Sequence, residues 1–125
     1  MKILFVDDGE HRAKDFRERN WTHELEFAFS FASGMAALLA TELKGPYDLI
    51  CLDHDLAEEH YEKDNKDASG TALVAWIIEH TELFKKTTFF IHSLNPVGSA
   101  RMESMLAGAG LIVQRTPWIW MKEIK

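Results

Sequence analysis

The sequence predicts a single α/β domain in which helices cover both faces of a parallel sheet. Three short apolar runs, at residues 2–6, 47–52 and 87–91, have the composition of strands that are buried on both faces. A helical pattern follows each of these runs. This alternation is typical of parallel sheets, because a crossover between neighbouring parallel strands needs a connecting helix.

Composition supports one soluble core. The chain has 125 residues, of which 46% are hydrophobic, and this is too many for a disordered chain. We find no repeat or linker, so we expect one domain over residues 1–125. No apolar run is long enough to span a bilayer, and residues 1–8 become acidic too early for a signal peptide. The single cysteine, Cys51, lies within the second apolar run, which favours a core position and a reducing, cytoplasmic location.

The first half of the chain predicts three further elements after the first strand. Residues 10–19 are polar with a narrow apolar stripe, which predicts a short amphipathic helix. Residues 23–31 alternate apolar and polar side chains, which predicts a half-buried strand near an edge of the sheet. We expect Ser33 to cap the next helix and Gly45 with Pro46 to end it.

The second half continues the alternation. Residues 58–70 are polar and charged, and we interpret them as a mobile surface loop. Asp67 or Ser69 can begin the helix that follows, and an Asn-Pro pair at 95–96 can begin another. Residues 111–113 predict the last strand. The order is therefore β-α-β-α-β-α-β-α-β, and we expect a three-layer domain with five strands in the flavodoxin-like order 2-1-3-4-5.

Chemically active side chains collect at the carboxyl ends of the three central strands of this predicted sheet. Ligands of open α/β sheets bind beyond this edge, near the point where the strand order reverses. The amino ends of the same strands carry few such groups. The residues at the carboxyl ends are Asp7 and Asp8 after the first strand, Asp53, His54 and Asp55 after the third, and His92, Ser93 and Asn95 after the fourth.

The acidic residues of this edge predict a divalent metal site. Asp7, Asp8 and Asp53, with Asp55 as a further ligand, would form an oxygen-rich pocket of the kind that Mg²⁺ or Mn²⁺ prefers. Nearby imidazoles would shift the preference toward Mn²⁺, Fe²⁺, Zn²⁺ or Ni²⁺. The alternative is a metal-free cluster in which the acids are held by hydrogen bonds.

The segment after the fourth strand predicts a small anion site. Ser93, Asn95 and Arg101 combine a hydroxyl, a helix start and a guanidinium one turn into the helix. Free backbone N–H groups at a helix start favour a phosphate, and arginine can bind it bidentately. The alternative is that Asn95 only caps the helix and Arg101 is only solvated. With 14 basic and 20 acidic residues, the net charge of −6 disfavours extended duplex binding but allows such a local site.

Three segments resemble the receiver domains of response regulators. They are the run Lys-Ile-Leu-Phe-Val-Asp-Asp at 2–8, the helix at 33–45 and Tyr-Asp-Leu-Ile-Cys-Leu-Asp at 47–53. The resemblance implies that Asp7 and Asp8 hold Mg²⁺ and that Asp53 is the phosphoaccepting residue. It also implies that Ser93 is the hydroxyl residue that ends the fourth strand.

The departures from receivers indicate a divergent branch. The chain has Arg115-Thr116-Pro117 where receivers carry a Lys-Pro pair, and the last receiver helix is reduced or missing. The segments Leu-Asp-His-Asp-Leu at 52–56 and His-Ser-Leu-Asn-Pro-Val-Gly at 92–98, with Gly70 between them, resemble the cyclic-phosphate-processing receiver-like domains more closely. That resemblance implies an enzyme acting on cyclic phosphate ends in RNA repair.

The leading hypothesis is therefore a metal-dependent phosphoester-processing enzyme, which opens a cyclic phosphate of a small molecule or an RNA terminus. His92 or His54 would be the general acid or base, with Asp53 also in the catalytic set. Ser93, Asn95 and Arg101 would hold the phosphate. One alternative is a signalling receiver phosphorylated on Asp53, and another is a non-catalytic pseudo-receiver that binds a nucleotide or a protein.

The C-terminal segment predicts a contact between two copies of the chain. Without a last helix, the thin helix at 10–19 must cover one face of the sheet nearly alone. Residues 118–125 are apolar enough to cover this gap or to meet a second subunit, so we expect a homodimer through this face. The alternative is that the tail folds back on its own sheet.

Overall fold

The computed structural model describes residues 1–56 and 69–116, which form one five-stranded parallel sheet with helices on both faces. The strand order is β2-β1-β3-β4-β5, which confirms the predicted order. The strands are β1 (Lys2–Val6), β2 (Glu24–Ala28), β3 (Leu49–Leu52), β4 (Thr88–Ile91) and β5 (Ile112–Arg115). The helices are α1 (Glu10–Arg19), α2 (Phe31–Leu39), α3 (Thr41–Lys44), α4 (Gly70–Ile78) and α5 (Pro96–Gly108), with a short 3₁₀ helix at Thr81–Leu83.

The strand register sets the edge at which the site forms. Val6 pairs with Leu52, and Leu52 pairs with Ile91, so the three central strands end side by side. The ladder continues one residue further, because Asp53 N donates to the Val6 carbonyl and His92 N donates to the Leu52 carbonyl, each at 3.0 Å. The residues that follow these strands are therefore held by backbone hydrogen bonds at one level.

The start of α2 corrects the sequence prediction. The strand predicted at 23–31 ends at Ala28, and α2 begins at Phe31 with Ser30 rather than Ser33 as its N-cap. Ser30 Oγ accepts the Ser33 N–H, and the Ser33 hydroxyl accepts the Ser30 N–H, each at 3.1 Å. This reciprocal pair satisfies backbone donors at the helix start, so capping chemistry overrides the alternating pattern.

The remaining helix boundaries agree closely with the sequence. The helical segment is divided at Ala40 into α2 and α3, and Gly45 ends it with a φ of 88°. Ser69, one of the two predicted caps of α4, accepts the backbone N–H of Thr71, and the other candidate, Asp67, lies outside the described residues. Asn95 caps α5, as predicted. The loop predicted at 58–70 ends earlier, because Ser69 and Gly70 begin α4, and its residues 58–68 lie outside the described residues. The tail at 118–125, with the homodimer contact proposed for it, also lies outside them.

Two apolar clusters hold the layers together. The larger one lies between the sheet and α2, α4 and α5, and it includes Leu38, Leu73 and Met102 from those helices. The smaller one lies under α1, where Phe16 stacks on Phe5 of β1 with ring centroids 4.5 Å apart. No helix within the described ranges is long and apolar enough to cross a membrane.

Candidate functional site

Three carboxylates meet at the carboxyl end of the sheet, as the sequence predicted. Asp7 and Asp8 follow β1, and Asp53 follows β3. One oxygen from each carboxylate lies within 4.8 Å of the others. Asp7 and Asp53 are buried, and Asp8 is partly buried. We refer to these three residues as the acid cluster.

Asp7 is the most heavily hydrogen-bonded member of the acid cluster. Arg12 donates from Nε to Asp7 Oδ2 at 2.9 Å and from Nη2 to Oδ1 at 2.8 Å. His92 Nε2 lies 2.8 Å from Oδ2, and the Gly9 N–H donates to Oδ1 at 2.7 Å. Burial alone would raise the pKa of Asp7, but its hydrogen bonds with His92 and Arg12 hold that pKa well below the usual range. Asp7 is therefore ionised, and neighbouring groups compensate its negative charge.

Asp8 and Asp53 differ from Asp7 because they carry charge without an equivalent partner. Burial and the nearby charge of Asp7 raise the pKa of both carboxyl groups. Asp53 accepts the His54 N–H at 2.9 Å and is also hydrogen-bonded to Ser93. Arg12 Nη2 lies 3.5 Å from Asp8 Oδ1, which is too far for a strong hydrogen bond. The two carboxylates thus form the part of the acid cluster that a cation would stabilise most.

His92 hydrogen-bonds to Asp7 and is buried from solvent. Its side chain is only 1% exposed, and its ring stacks on Phe5 with centroids 4.9 Å apart. Since Nε2 faces the ionised Asp7, the imidazole orients that carboxylate from inside the fold.

His54, Asp55 and Asn95 form a second group beside the acid cluster. His54 Nδ1 lies 2.8 Å from Asp55 Oδ1, and Asn95 Nδ2 lies 3.3 Å from both atoms. The ring packs on Gly98, where an added Cβ would lie 2.5 Å from it. Asp55 therefore orients His54, and it lies outside the cluster of three carboxylates to which the sequence analysis had joined it.

The predicted phosphate residues are only partly brought together. Ser93 Oγ accepts the Asn95 N–H at 3.1 Å, and Asn95 Oδ1 accepts the Gly98 N–H at 2.9 Å, so both residues shape the start of α5. Arg101 is exposed on α5, and no contact among the described residues joins it to the acid cluster. A cavity of about 230 Å³ opens beside Ser93. It is lined by Ser93, Leu94, Pro96, Ser99 and Arg115.

Arg12 is a site residue that no sequence pattern identified, and within residues 1–56 and 69–116 it is the arginine that hydrogen-bonds to the acid cluster. It belongs to the polar segment at 10–19, five residues after Asp7 and four after Asp8. The i,i+4 spacing from Asp8 at a helix start was the signal that could have identified it. The absence of a side chain at Gly9 is a second signal, because a Cβ there would lie 2.5 Å from Arg12 Nη2.

The donor set of the acid cluster fits a divalent cation. Carboxylate oxygens are the ligands that Mg²⁺ and Mn²⁺ prefer, and the three groups are close enough to face one ion. Burial and the nearby charge of Asp7 raise the pKa of Asp8 and of Asp53, so a bound cation would stabilise the ionised form of both. Both Asp7 oxygens already accept hydrogen bonds, so Asp8 and Asp53 are the more available ligands.

Solved structures of similar fold include domains of signalling proteins. One is the signal receiver domain of a protein described as a LuxO repressor from Vibrio parahaemolyticus, with 19% identity and a TM-score of 0.60 over 92% of this chain and 77% of that one. Another is the N-terminal domain of a response regulator/sensory box/GGDEF three-domain protein from Carboxydothermus hydrogenoformans. It has 20% identity and a TM-score of 0.59 over 94% of this chain and 80% of that one. At these identities the likeness establishes the receiver fold.

The sequence match is more specific than the structural likeness. The family described as the cyclic-phosphate processing receiver domain matches residues 2–108, which include the acid cluster, His54 and the start of α5. Among curated proteins, none matches the chain. The resemblance to receivers and to their cyclic-phosphate-processing branch is confirmed, and the chain belongs to the family of cyclic-phosphate processing receiver domains.

Proposed function

We propose that this domain is a metal-dependent enzyme that opens a cyclic phosphate, such as a 2′,3′-cyclic phosphate on a nucleotide or an RNA end. The observation that carries the proposal is the acid cluster with an oriented imidazole beside it. Asp53 belongs to the cluster and accepts the backbone N–H of His54, so the residue that carries this imidazole directly follows a member of the cluster. The family match adds the substrate class.

The acid cluster would hold the divalent cation, with Mg²⁺ or Mn²⁺ as the first choice. Asp8 and Asp53 would be direct ligands, and Asp7 would support them from its hydrogen-bonded position. A bound cation would polarise a phosphoryl oxygen and lower the pKa of a water molecule in the site. Ser93 hydrogen-bonds to Asp53; once a cation ligates that carboxylate, the hydroxyl would be able to donate to the phosphate instead.

His54 is the better placed of the two histidines for exchanging a proton with substrate. Its ring is partly exposed and is oriented by Asp55, whereas His92 is buried against Asp7. Opening a cyclic phosphate adds the oxygen of water to phosphorus and breaks one P–O ester bond. One proton leaves the water and one reaches the departing alkoxide. His54 would carry the proton at one of these two oxygens.

An assay with two substrates tests the proposal. The purified domain is incubated with 2′,3′-cyclic AMP, and separately with an RNA oligonucleotide ending in a 2′,3′-cyclic phosphate. Each reaction is run with Mg²⁺, Mn²⁺ or Ni²⁺ and analysed by chromatography for the ring-opened monophosphate. We expect product with at least one metal, and a loss of about 10²-fold or more in Asp53→Asn and His54→Gln, since acid–base groups contribute about 10²–10⁴-fold.

The control is His11→Gln, which changes an exposed histidine on α1 and should leave the rate unchanged. Absence of product with every metal, together with unaltered ligand binding in Asp53→Asn, would argue strongly against the enzyme.

A signalling receiver is the second candidate, and the receiver fold of the matched structures favours it. In that role Asp53 would accept a phosphoryl group. Arg115, at the end of β5 and beside the cavity at Ser93, is the described cation nearest in sequence to the receiver lysine position. Incubation with acetyl phosphate and Mg²⁺, followed by intact mass measurement, separates the two functions. A stable adduct that Asp53→Asn lacks supports signalling.

A further inference from the structure

Arg12 uses only part of its hydrogen-bonding capacity. A guanidinium has five N–H donors in a rigid plane. The Nε–H and one Nη2–H are directed to the two oxygens of Asp7. Within residues 1–56 and 69–116, no hydrogen bond engages Nη1. The side chain is 27% exposed, so Arg12 is not closed off from solvent.

If Arg12 compensates the charge of Asp7, the remaining negative charge of the acid cluster equals the charge of one divalent cation. The three carboxylates carry three negative charges, and one of them is paired bidentately with Arg12. Asp8 and Asp53 remain, and their two charges match one divalent cation. The four hydrogen bonds to Asp7 use its four acceptor sites, so at least one of them would have to break if Asp7 were a third direct ligand.

We propose that Arg12 reserves Asp7 from the metal and presents its remaining N–H groups to the phosphate of the substrate. This inference rests on the proposed function and adds the anion-binding group that Arg101, exposed on α5, does not supply. Asp7 fixes one edge of the guanidinium, and His92 fixes Asp7 from the core side. A guanidinium held in this way loses little conformational entropy when it binds an oxyanion bidentately.

Gly9 makes this arrangement sterically possible. Its backbone has a φ of −84°, which any residue adopts, so backbone strain does not require glycine there. A Cβ would lie 2.5 Å from Nη2 and 2.6 Å from Cζ of Arg12. Gly9→Ala should therefore displace the guanidinium, which is the flexible end of a side chain, while it keeps the fold and the net charge. This variant therefore separates the effect of the position of Arg12 on binding from the effect of its charge.

The experiment measures cation and anion binding separately. Mn²⁺ binding is followed by electron paramagnetic resonance of the free ion, and binding of inorganic phosphate to the Mg²⁺-saturated domain is followed by calorimetry. We expect Arg12→Gln to bind Mn²⁺ about two- to tenfold more tightly, because Asp7 is released, and phosphate about tenfold more weakly. Gly9→Ala should shift both affinities in the same directions. Arg19→Gln, which removes an exposed charge on the same helix, should change neither by more than about twofold.

The proposal predicts that Mn²⁺ affinity rises while phosphate affinity falls, and this opposite pair of changes distinguishes it from a structural role for Arg12. Weaker Mn²⁺ binding in Arg12→Gln and in Gly9→Ala would overturn it, since loss of the local fold weakens both ligands. Unchanged phosphate binding in both variants would also overturn it. A wild-type domain that binds neither Mn²⁺ nor phosphate would instead refute the proposed function itself. Tight wild-type binding with no effect of the variants would refute only the role of Arg12.

Discussion

Asp53→Asn should stabilise the domain when no metal is present. The carboxylate of Asp53 is 7% exposed, and burial and the charge of Asp7 raise its pKa. The ionised carboxylate is therefore a source of strain in the folded state at neutral pH. Asparagine keeps an oxygen that can accept the His54 N–H, and its amide can face Ser93, so the local hydrogen bonds can be retained.

The magnitude follows from the spacing of the charges. Two unit charges separated by 4.8 Å repel by about 3.5 kcal/mol at an effective dielectric constant of about 20. Arg12 and His92 offset much of the charge of Asp7, and the Asp8 side chain is 26% exposed. We therefore expect a net gain of about 1–2 kcal/mol, which raises the Tm of a domain of this size by about 4–8 °C.

The assay is thermal unfolding followed by circular dichroism, first with EDTA and then with Mg²⁺. Wild type should gain about 1.4 kcal/mol at a metal concentration of ten times Kd, whereas Asp53→Asn should gain much less. Asp15→Asn is the matched control, because it removes an exposed carboxylate that pairs with Arg19, and its effect should stay below about 1 kcal/mol. A lower Tm for Asp53→Asn in EDTA would refute the reasoning, because the acid cluster would then not be strained by its own charge.

Three further predictions concern the same end of the sheet. Gly70→Ala should destabilise the domain by more than about 2 kcal/mol in urea unfolding, because the new Cβ would lie 2.2 Å from the Asp53 carbonyl oxygen. Gly108→Ala is the control and should be neutral, because its Cβ meets nothing within 4 Å. The pKa of Asp7 is lowered by folding, so its charge adds stability above the unfolded pKa of about 3.9, and that stability is lost as the pH falls towards the lower folded pKa. Asp7→Asn should therefore flatten the fall in stability from about pH 5 down to about pH 2 in urea unfolding. Burial raises the pKa of the Cys51 thiol, so a thiol reagent should modify it only as fast as the domain unfolds; rapid native-state labelling would contradict its core position.

The architecture could be predicted because its signals are local in the sequence. The apolar run at 2–6 predicts a strand, and the Asn-Pro pair at 95–96 predicts a helix start, each from composition alone. Parallel topology follows from the alternation of strands and helices, and it predicts that Asp7 and Asp53 share one edge. The helix start at Ser30 was misplaced because an alternating strand pattern runs into a capping box, and only the reciprocal hydrogen bonds with Ser33 decide the boundary.

The roles within the site could not be predicted, because they depend on which side chains touch. The sequence offered His54 and His92 as equivalent imidazoles, but packing buries His92 against Asp7 and leaves His54 beside Asp55. It also treated the aspartates as one set. Their pKa shifts differ in sign because hydrogen bonds from His92 and Arg12 outweigh burial at Asp7, whereas burial and the charge of Asp7 dominate at Asp53.

The sequence by itself determined the fold class, the strand order and the edge at which acidic and imidazole side chains collect. This was possible because hydrophobic periodicity and turn residues depend only on neighbouring positions in the chain. Only the tertiary structure decided the charge state of that edge. The guanidinium of Arg12 reaches Asp7 because Gly9 leaves room for it, and His92 reaches the same carboxylate from a strand 85 residues away in sequence. Electrostatic partners are set by distances in space, and these exist only once the sheet has formed.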